Sequence, residues 1–192
     1  YAPLASLPGI FETTLETIPA ETPYLFADPA RINWWRDRLA GTGLKIGLAW
    51  GGNPEHSNDR NRSMPLEAIR PLLSLKGIRW FSLQIGERAQ DLGADWASPI
   101  EDLSPEVGTF PETAAAMMNL DLIISIDTSL AHLAGALGRR VWIPLGHVAD
   151  WRWLRDRNDS PWYPSIHLFR QRSRGDWAGV IEQIKDALLG QD

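Results

Sequence analysis

The chain has 192 residues, a length that suits one domain or one domain with an appendage. Hydrophobic residues make up 44% and charged residues 22%, as in ordinary globular domains. The net charge of -5 argues against a nucleic-acid partner, because a phosphate backbone needs a basic face. The sequence contains no cysteine, which excludes disulfides and thiolate chemistry. It shows neither an apolar run of roughly 20 residues nor a signal-peptide pattern, so we expect a cytoplasmic protein with no membrane span.

The first 43 residues differ from the rest. Residues 1–28 have no helical or strand period, and prolines interrupt them at positions 3, 8, 19 and 23. With too few apolar residues for a core, this segment is expected to lie along another surface as an irregular strap. Asp28 and Pro29 then predict the start of a helix, with an apolar stripe at Ile32, Trp35 and Leu39. We assign residues 1–43 to an interdomain segment and residues 44–192 to the main domain.

From residue 44 onward, apolar runs alternate with helical patterns. The predicted strands cover residues 44–50, 78–84, 98–101, 121–126, 141–145 and 167–169. Helices are predicted from Pro65, from about Glu87, from Thr109 with its capping box to Met118, around Leu130–Leu137, and after Asp176. This alternation predicts a doubly wound Rossmann-like parallel sheet. Such sheets bind ligands at the carboxyl ends of the strands, where strand order reverses.

The strongest functional signal is a buried strand that runs straight into a helix at residues 124–132. The first-turn amides of that helix and the hydroxyls of Thr128 and Ser129 would favour an anion beside Asp127. A helical wheel places His132 opposite the leucine stripe, on a side free to face a cleft. The alternative is that Asp127 or Thr128 is only a helix cap and that His132 is exposed to solvent.

A second candidate is the polar loop of residues 51–63, which follows the first predicted strand. Gly51 and Asn53 allow a ligand to approach the backbone closely, and Arg60 and Arg62 could clamp a diphosphate. Ser63 and the helix from Pro65 would add a second helix N-terminus. The loop matches neither a dinucleotide fingerprint nor a P-loop, and by itself it also fits an ordinary surface loop.

Aromatic residues mark a third candidate around Asp150 and Trp151, in a stretch rich in tryptophan and proline. They could form a platform for a base or sugar, but core or interdomain packing explains most of them equally well. Gln84, at the end of the second predicted strand, is also well placed for a ligand. The four histidines lack the spacing of metal ligands, and no Gly-x-Ser-x-Gly elbow is present, so we expect no metal and no cofactor.

Residues 127–138, Asp-Thr-Ser-Leu-Ala-His-Leu-Ala-Gly-Ala-Leu-Gly, resemble the donor-site motif of the heptosyltransferase-like, family 9-like glycosyltransferases of GT-B fold. That family has Asp-Thr-Gly-x-x-His-Leu-Ala at this junction, so Ser129 replaces a glycine. Arg62, before Met64-Pro65, takes the place of a basic residue that the family sets before Trp-Pro. Stretches 47–50, 82–84, 150–153 and 160–164 also resemble bacterial proteins that fuse tetratricopeptide repeats to such a transferase. The resemblance covers about residues 1–190.

The resemblance implies the C-terminal, donor-binding half of a GT-B glycosyltransferase, with a nucleoside-diphosphate sugar as its substrate. It places the acceptor-side domain and the repeats before Tyr1, a start that already suggests a fragment because it is not methionine. It also places the general base outside this chain, so the fragment would bind the donor without transferring the sugar. Two alternatives stay open: a non-catalytic interaction module that retains the fold, and an epimerase that acts on the nucleotide sugar.

Overall fold

The structure is a computed structural model that describes residues 1–190. Six strands form a single sheet: β1 (Leu44–Ala49), β2 (Ile78–Ser82), β3 (Ile100–Asp102), β4 (Leu122–Ser125), β5 (Val141–Leu145) and β6 (Ile166–Arg170). The α-helices are α1 (Leu7–Ile10), α2 (Pro29–Arg38), α3 (Asp59–Arg62), α4 (Phe110–Met117), α5 (Ser129–Ala136) and α6 (Trp177–Leu189). Short 3-10 helices cover Leu4–Ser6, Leu66–Ser74, Glu87–Gly93, Asp95–Ala97 and Trp151–Trp153. Within residues 1–190, no helix is both long and apolar enough to cross a membrane.

The sheet is entirely parallel and has the order β3-β2-β1-β4-β5-β6. β2 and β3 are added in turn on one side of β1, and β4, β5 and β6 are added in turn on its other side. The strand order therefore reverses between β1 and β4, which defines the switch point at which such sheets bind ligands. The predicted doubly wound, Rossmann-like α/β fold is confirmed, and the weak strand expected at residues 98–101 lies slightly later, at β3.

Two apolar layers cover the two faces of the sheet. One packs α2, α4 and α5 against it through residues such as Trp35, Met117 and Leu133. The other packs the 3-10 helix of residues 66–74 and α6 against the opposite face, through Ile69 and Ile181 among others. Burial on both faces explains why β4 and β5 are buried along their whole length rather than at alternate residues. Most tryptophans belong to these layers, since six of the ten are buried: Trp35, Trp50, Trp80, Trp142, Trp153 and Trp177.

The amino-terminal segment follows the strap prediction in its second half. The backbone N–H groups of Tyr24 and Leu25 both donate to the Ala136 carbonyl, at 3.0 and 3.2 Å. Asp28 caps α2 by accepting a hydrogen bond from Ala30 N at 2.7 Å. The first half is less irregular than expected, because it forms α1 and a 3-10 turn. Its apolar side chains are largely exposed, with Phe11 at 74%.

The segment after Pro65 departs from the prediction. It forms a 3-10 helix with Pro65 at its N-cap, and Pro71 lies inside it. Proline has no N–H to donate and clashes with a preceding carbonyl in an α-helix, so the tighter helix is the physical compromise. The apolar stripe still faces the core, with Leu66, Ile69 and Leu72 buried.

Candidate functional site

A cavity of about 450 Å³ opens at the switch point, beyond the carboxyl ends of β1, β2 and β4. We call it the switch cavity. Four parts of the chain line it: the loop after β1, the loop after β2, the turn into α4, and the first turn of α5. Its principal residues are Gly51, Gly52, Asn53, Arg62, Gln84, Arg88, Thr109, Phe110, Thr128 and Ser129. Its size lies within the usual range for small-molecule sites.

The N-terminus of α5 forms one wall of the switch cavity. Thr128 has extended backbone geometry and caps the helix by accepting a hydrogen bond from Leu130 N at 3.3 Å. The buried Ser125 hydroxyl lies 3.2 Å from the Thr128 hydroxyl and orients this cap. Ser129 is exposed at the rim. The first-turn amides of a helix have no partner within it, so this wall presents N–H donors and the positive end of the helix dipole.

A buried carboxylate holds two arginines against the same cavity, and we call Asp59, Arg62 and Arg88 the arginine cluster. Asp59 is only 3% exposed. Its Oδ2 atom is 2.8 Å from Arg88 Nη2, and its Oδ1 atom is 3.5 Å from Arg62 Nε. Arg62 Nη1 also donates to the Asp127 carbonyl at 3.0 Å. With two guanidinium groups for one carboxylate, the cluster carries net positive charge and favours an anion in the cavity.

The loop after β1 needs glycine where it passes the cluster. A Cβ at Gly51 would overlap the Arg88 side chain, and one at Gly52 would lie 2.6 Å from Arg62 Nη2. The buried Gln84 side chain fixes the loop by accepting hydrogen bonds from Trp50 N at 3.0 Å and Gly51 N at 2.8 Å. The two glycines therefore leave the space that the arginines occupy, and Gln84 positions the backbone rather than only lining the cavity.

The second helix N-terminus at the switch cavity belongs to α4, not to the segment after Pro65. Thr109 caps α4 by accepting a weak hydrogen bond from Glu112 N at 3.5 Å, and Thr109 and Phe110 both line the cavity. The segment after Pro65 is a 3-10 helix, and Pro65 is not among the lining residues. The predicted contribution of a helix N-terminus near Ser63 and Pro65 was therefore wrong.

His132 faces a different cavity, of about 330 Å³, one turn further along α5 than Thr128. We call it the aromatic cavity, lined by Pro19, Tyr24, His132, Trp151, Arg152, Trp162 and Tyr163. The His132 ring stacks on buried Trp153 with a centroid distance of 5.1 Å, and its Nδ1 is 3.2 Å from the Tyr163 hydroxyl. Burial lowers the pKa of His132, although nearby Asp127, 3.8 Å away, opposes this shift. His132 is therefore a neutral imidazole near pH 7.

The remaining candidate residues lie near the switch cavity or the aromatic cavity, except Arg60. Asp127 lies between the two cavities, since its carbonyl bonds Arg62 and its carboxylate approaches His132. Ser63 is buried behind the switch cavity, where it bonds Gly52 N and Asp59. Asp150 lies beside the aromatic cavity, which its neighbour Trp151 lines. Arg60 is exposed and lines neither cavity, which contradicts its predicted place in a diphosphate clamp.

Sequence reasoning missed Arg88, Asp59 and Phe110. Arg88 follows the end of β2, and Phe110 opens α4, so both sit at the carboxyl edge where the fold predicts ligands. That placement was the available signal for both residues. Asp59 gave no such signal, because its burial depends on the folding of the whole loop. Across residues 1–190, no group of three or more histidine, aspartate and glutamate side chains is arranged to hold a metal ion.

Comparison with solved structures identifies the class of fold. Escherichia coli heptosyltransferase II matches 93% of this chain with a TM-score of 0.64 and 16% identity, over 58% of its own chain. A family 9 glycosyltransferase from Veillonella parvula matches 95% of this chain with a TM-score of 0.61 and 12% identity, over 57% of its own chain. E. coli heptosyltransferase WaaC, solved with ADP-2-deoxy-2-fluoro heptose, matches 92% with a TM-score of 0.52 and 18% identity, over 53% of its chain. The chain therefore has a GT-B, heptosyltransferase-like fold, which it shares with 53–58% of the length of these transferases.

A curated protein also matches at the level of sequence. FlbA of Caulobacter vibrioides is 28% identical over 185 residues, which cover 91% of this chain but only 30% of FlbA. The chain thus spans less than a third of that relative and little more than half of the transferases with similar structure. No protein-family model matches the chain.

Proposed function

We propose that this chain is the donor-binding domain of a glycosyltransferase and that a nucleoside-diphosphate sugar binds in the switch cavity. The observation that carries the proposal is the convergence of the α5 N-terminus and the arginine cluster on one cavity at the switch point. The shared fold with heptosyltransferases supports it, since WaaC was solved with ADP and with an ADP-sugar analogue.

Glycosyl transfer breaks the bond between the anomeric carbon and a phosphate oxygen, so the departing diphosphate gains negative charge. In the proposal, the α5 amides, the Ser129 hydroxyl and the guanidinium groups of Arg62 and Arg88 stabilise that charge. Phe110, which lines the cavity and is 58% exposed, offers an apolar surface for the nucleobase. Asp59 has a positioning role, because it holds both arginines without reaching the cavity itself.

The proposal requires no metal ion, because fixed positive charge from arginine and helix dipoles takes the place of a divalent cation. We further propose that the acceptor site and the general base belong to a separate domain, accompanied by tetratricopeptide repeats in the whole protein. The 30% coverage of FlbA and the 53–58% coverage of the transferases support a division of this kind. The described chain would then bind the donor and contribute little transfer by itself.

Isothermal titration calorimetry with ADP, GDP, UDP and their hexose conjugates tests the proposal on the 192-residue chain. Arg62→Ala should weaken binding of the preferred nucleotide by about 1–3 kcal/mol, the range for hydrogen bonds to charged groups. Arg70→Ala is the matched control, because Arg70 is exposed and pairs with Glu67 away from the cavity. Equal affinity of wild type and Arg62→Ala would remove Arg62 from the site. Failure of every nucleotide to bind would reject the donor-binding function.

A further inference from the structure

The aromatic cavity has no part in the proposed binding of the diphosphate, yet it has the features of a ligand site. Its volume of about 330 Å³ is at the lower end of the usual range for small-molecule sites. Rings from two parts of the chain surround it, together with the guanidinium of Arg152 and the imidazole of His132. It flanks α5 within one turn of the switch cavity, which is lined by Thr128 and Ser129.

Polar contacts, rather than core packing, fix the positions of the two tryptophan rings that line this cavity. Trp151 is 63% exposed and meets Trp162 edge-to-face, with centroids 6.0 Å apart and an interplanar angle of 87°. The Trp162 indole N–H donates to the Arg152 carbonyl at 2.9 Å. The Arg152 guanidinium lies 4.5 Å from the Trp151 ring centroid and pairs with Asp150 at 2.9 Å. These contacts fix two perpendicular rings that line the cavity, with the Arg152 guanidinium over one face of Trp151.

The strap forms the facing wall through Pro19 and Tyr24. Backbone bonding of Tyr24 to Ala136 anchors this part of the strap. The Tyr24 hydroxyl donates to the Tyr163 hydroxyl at 3.3 Å. The strap therefore completes the cavity in addition to covering the domain.

We propose that the aromatic cavity binds an uncharged pyranose ring of a saccharide. A pyranose has an apolar face of C–H groups and a rim of hydroxyls, which match aromatic faces bordered by tyrosine hydroxyls, a guanidinium and an imidazole. An aliphatic chain would bury those polar groups without partners. An anionic ligand would approach Arg152 together with the carboxylate that already neutralises it, Asp150.

The inference rests on the proposed function and deepens it, because Asp127 connects the two cavities. Its carbonyl accepts a hydrogen bond from Arg62, and its carboxylate lies 3.8 Å from His132 Nε2. A ring in the aromatic cavity would thus lie beside the proposed diphosphate. The ring has two possible sources with the same chemistry, the sugar of the donor and a sugar of the acceptor, which an experiment can separate.

The test compares wild type, Trp151→Ala and the control Trp34→Ala, because Trp34 is also an exposed tryptophan, on α2, at 53% exposure. Calorimetry measures each nucleoside diphosphate and its hexose conjugate. Indole N–H signals of Trp151 and Trp162 in ¹H–¹⁵N spectra report titration with methyl glycosides of glucose, galactose, mannose and N-acetylglucosamine. We expect Trp151→Ala to weaken saccharide binding about three- to tenfold, the range for loss of an aromatic contact. We expect it to leave nucleoside diphosphate binding unchanged.

The outcomes separate the two proposals. Weaker binding of the nucleotide sugar alone assigns the cavity to the donor, and weaker binding of methyl glycosides alone assigns it to the acceptor. If the protein bound no nucleotide but bound methyl glycosides more weakly after Trp151→Ala, the donor-binding function would be rejected and the saccharide site would be retained. The saccharide site is rejected if Trp151→Ala and Trp34→Ala bind every saccharide with the same affinity. It is also rejected if the wild-type protein binds no saccharide.

Discussion

Asp59→Asn removes the charge that holds the arginine cluster while nearly preserving side-chain volume. In the native protein, this carboxylate is 2.8 Å from Arg88 Nη2 and accepts a hydrogen bond from the Ser63 hydroxyl at 2.8 Å. A third, longer contact of 3.5 Å reaches Arg62 Nε. An asparagine amide would present either a neutral oxygen or an N–H group that repels the guanidinium groups, so both arginines would lose their anchor.

The magnitude follows from burial. Breaking a fully buried ion pair costs about 3–5 kcal/mol, because the remaining charge is left without a partner. The side chains of Arg62 and Arg88 are 20% and 30% exposed, so each can regain part of its hydration. We therefore expect Asp59→Asn to lower the free energy of unfolding by about 2–3 kcal/mol. Nucleoside diphosphate affinity should fall as well, by about tenfold, because the arginines are no longer preorganised.

Urea denaturation followed by tryptophan fluorescence measures the stability effect, and calorimetry measures the affinity. Asp37→Asn is the matched control, since Asp37 is exposed on α2 and its replacement should change stability by no more than about 0.5 kcal/mol. If Asp59→Asn unfolded within about 0.5 kcal/mol of wild type and bound nucleotide equally well, the role given to the arginine cluster would be incorrect.

Three further outcomes are expected. Gly51→Ala should lower the free energy of unfolding by about 1–3 kcal/mol and weaken nucleotide binding, because the added Cβ would overlap Arg88. Gly93→Ala is the control in urea denaturation and calorimetry, because no atom lies near its added Cβ. Burial lowers the pKa of His132, so the unfolded chain takes up this proton first as pH falls through about 6.5 and stability declines. In pH-dependent urea denaturation, His132→Gln should reduce that decline more than His56→Gln, and equal slopes would contradict the burial argument. Excess EDTA should leave the calorimetric affinity for nucleoside diphosphates unchanged, and loss of binding would show that a metal ion is needed.

The sequence determined the elements whose signals are local. Near-continuous apolar runs predicted β1, β2, β4 and β5. A strand buried on both faces carries apolar side chains on each face, so its sequence is mostly apolar instead of alternating with polar residues. Thr109 and Glu112 predicted the start of α4, since capping involves neighbours in the chain. The run from β4 into α5 likewise fixed the position of Thr128 and Ser129 at a helix N-terminus. These local features were sufficient for the fold class and for one wall of the switch cavity.

The tertiary structure decided which distant residues meet. Strand order brings the loop after β2 to the loop after β1, and this contact places Arg88 against Asp59. Arg60 lies next to Asp59 on α3 but remains exposed. Packing of α5 against the loop after β5 turns His132 into the aromatic cavity rather than the switch cavity. A helical wheel gives the direction of a side chain around its own axis but not the neighbours it will face. Those neighbours depend on strand order and loop packing, which involve residues far apart in the chain.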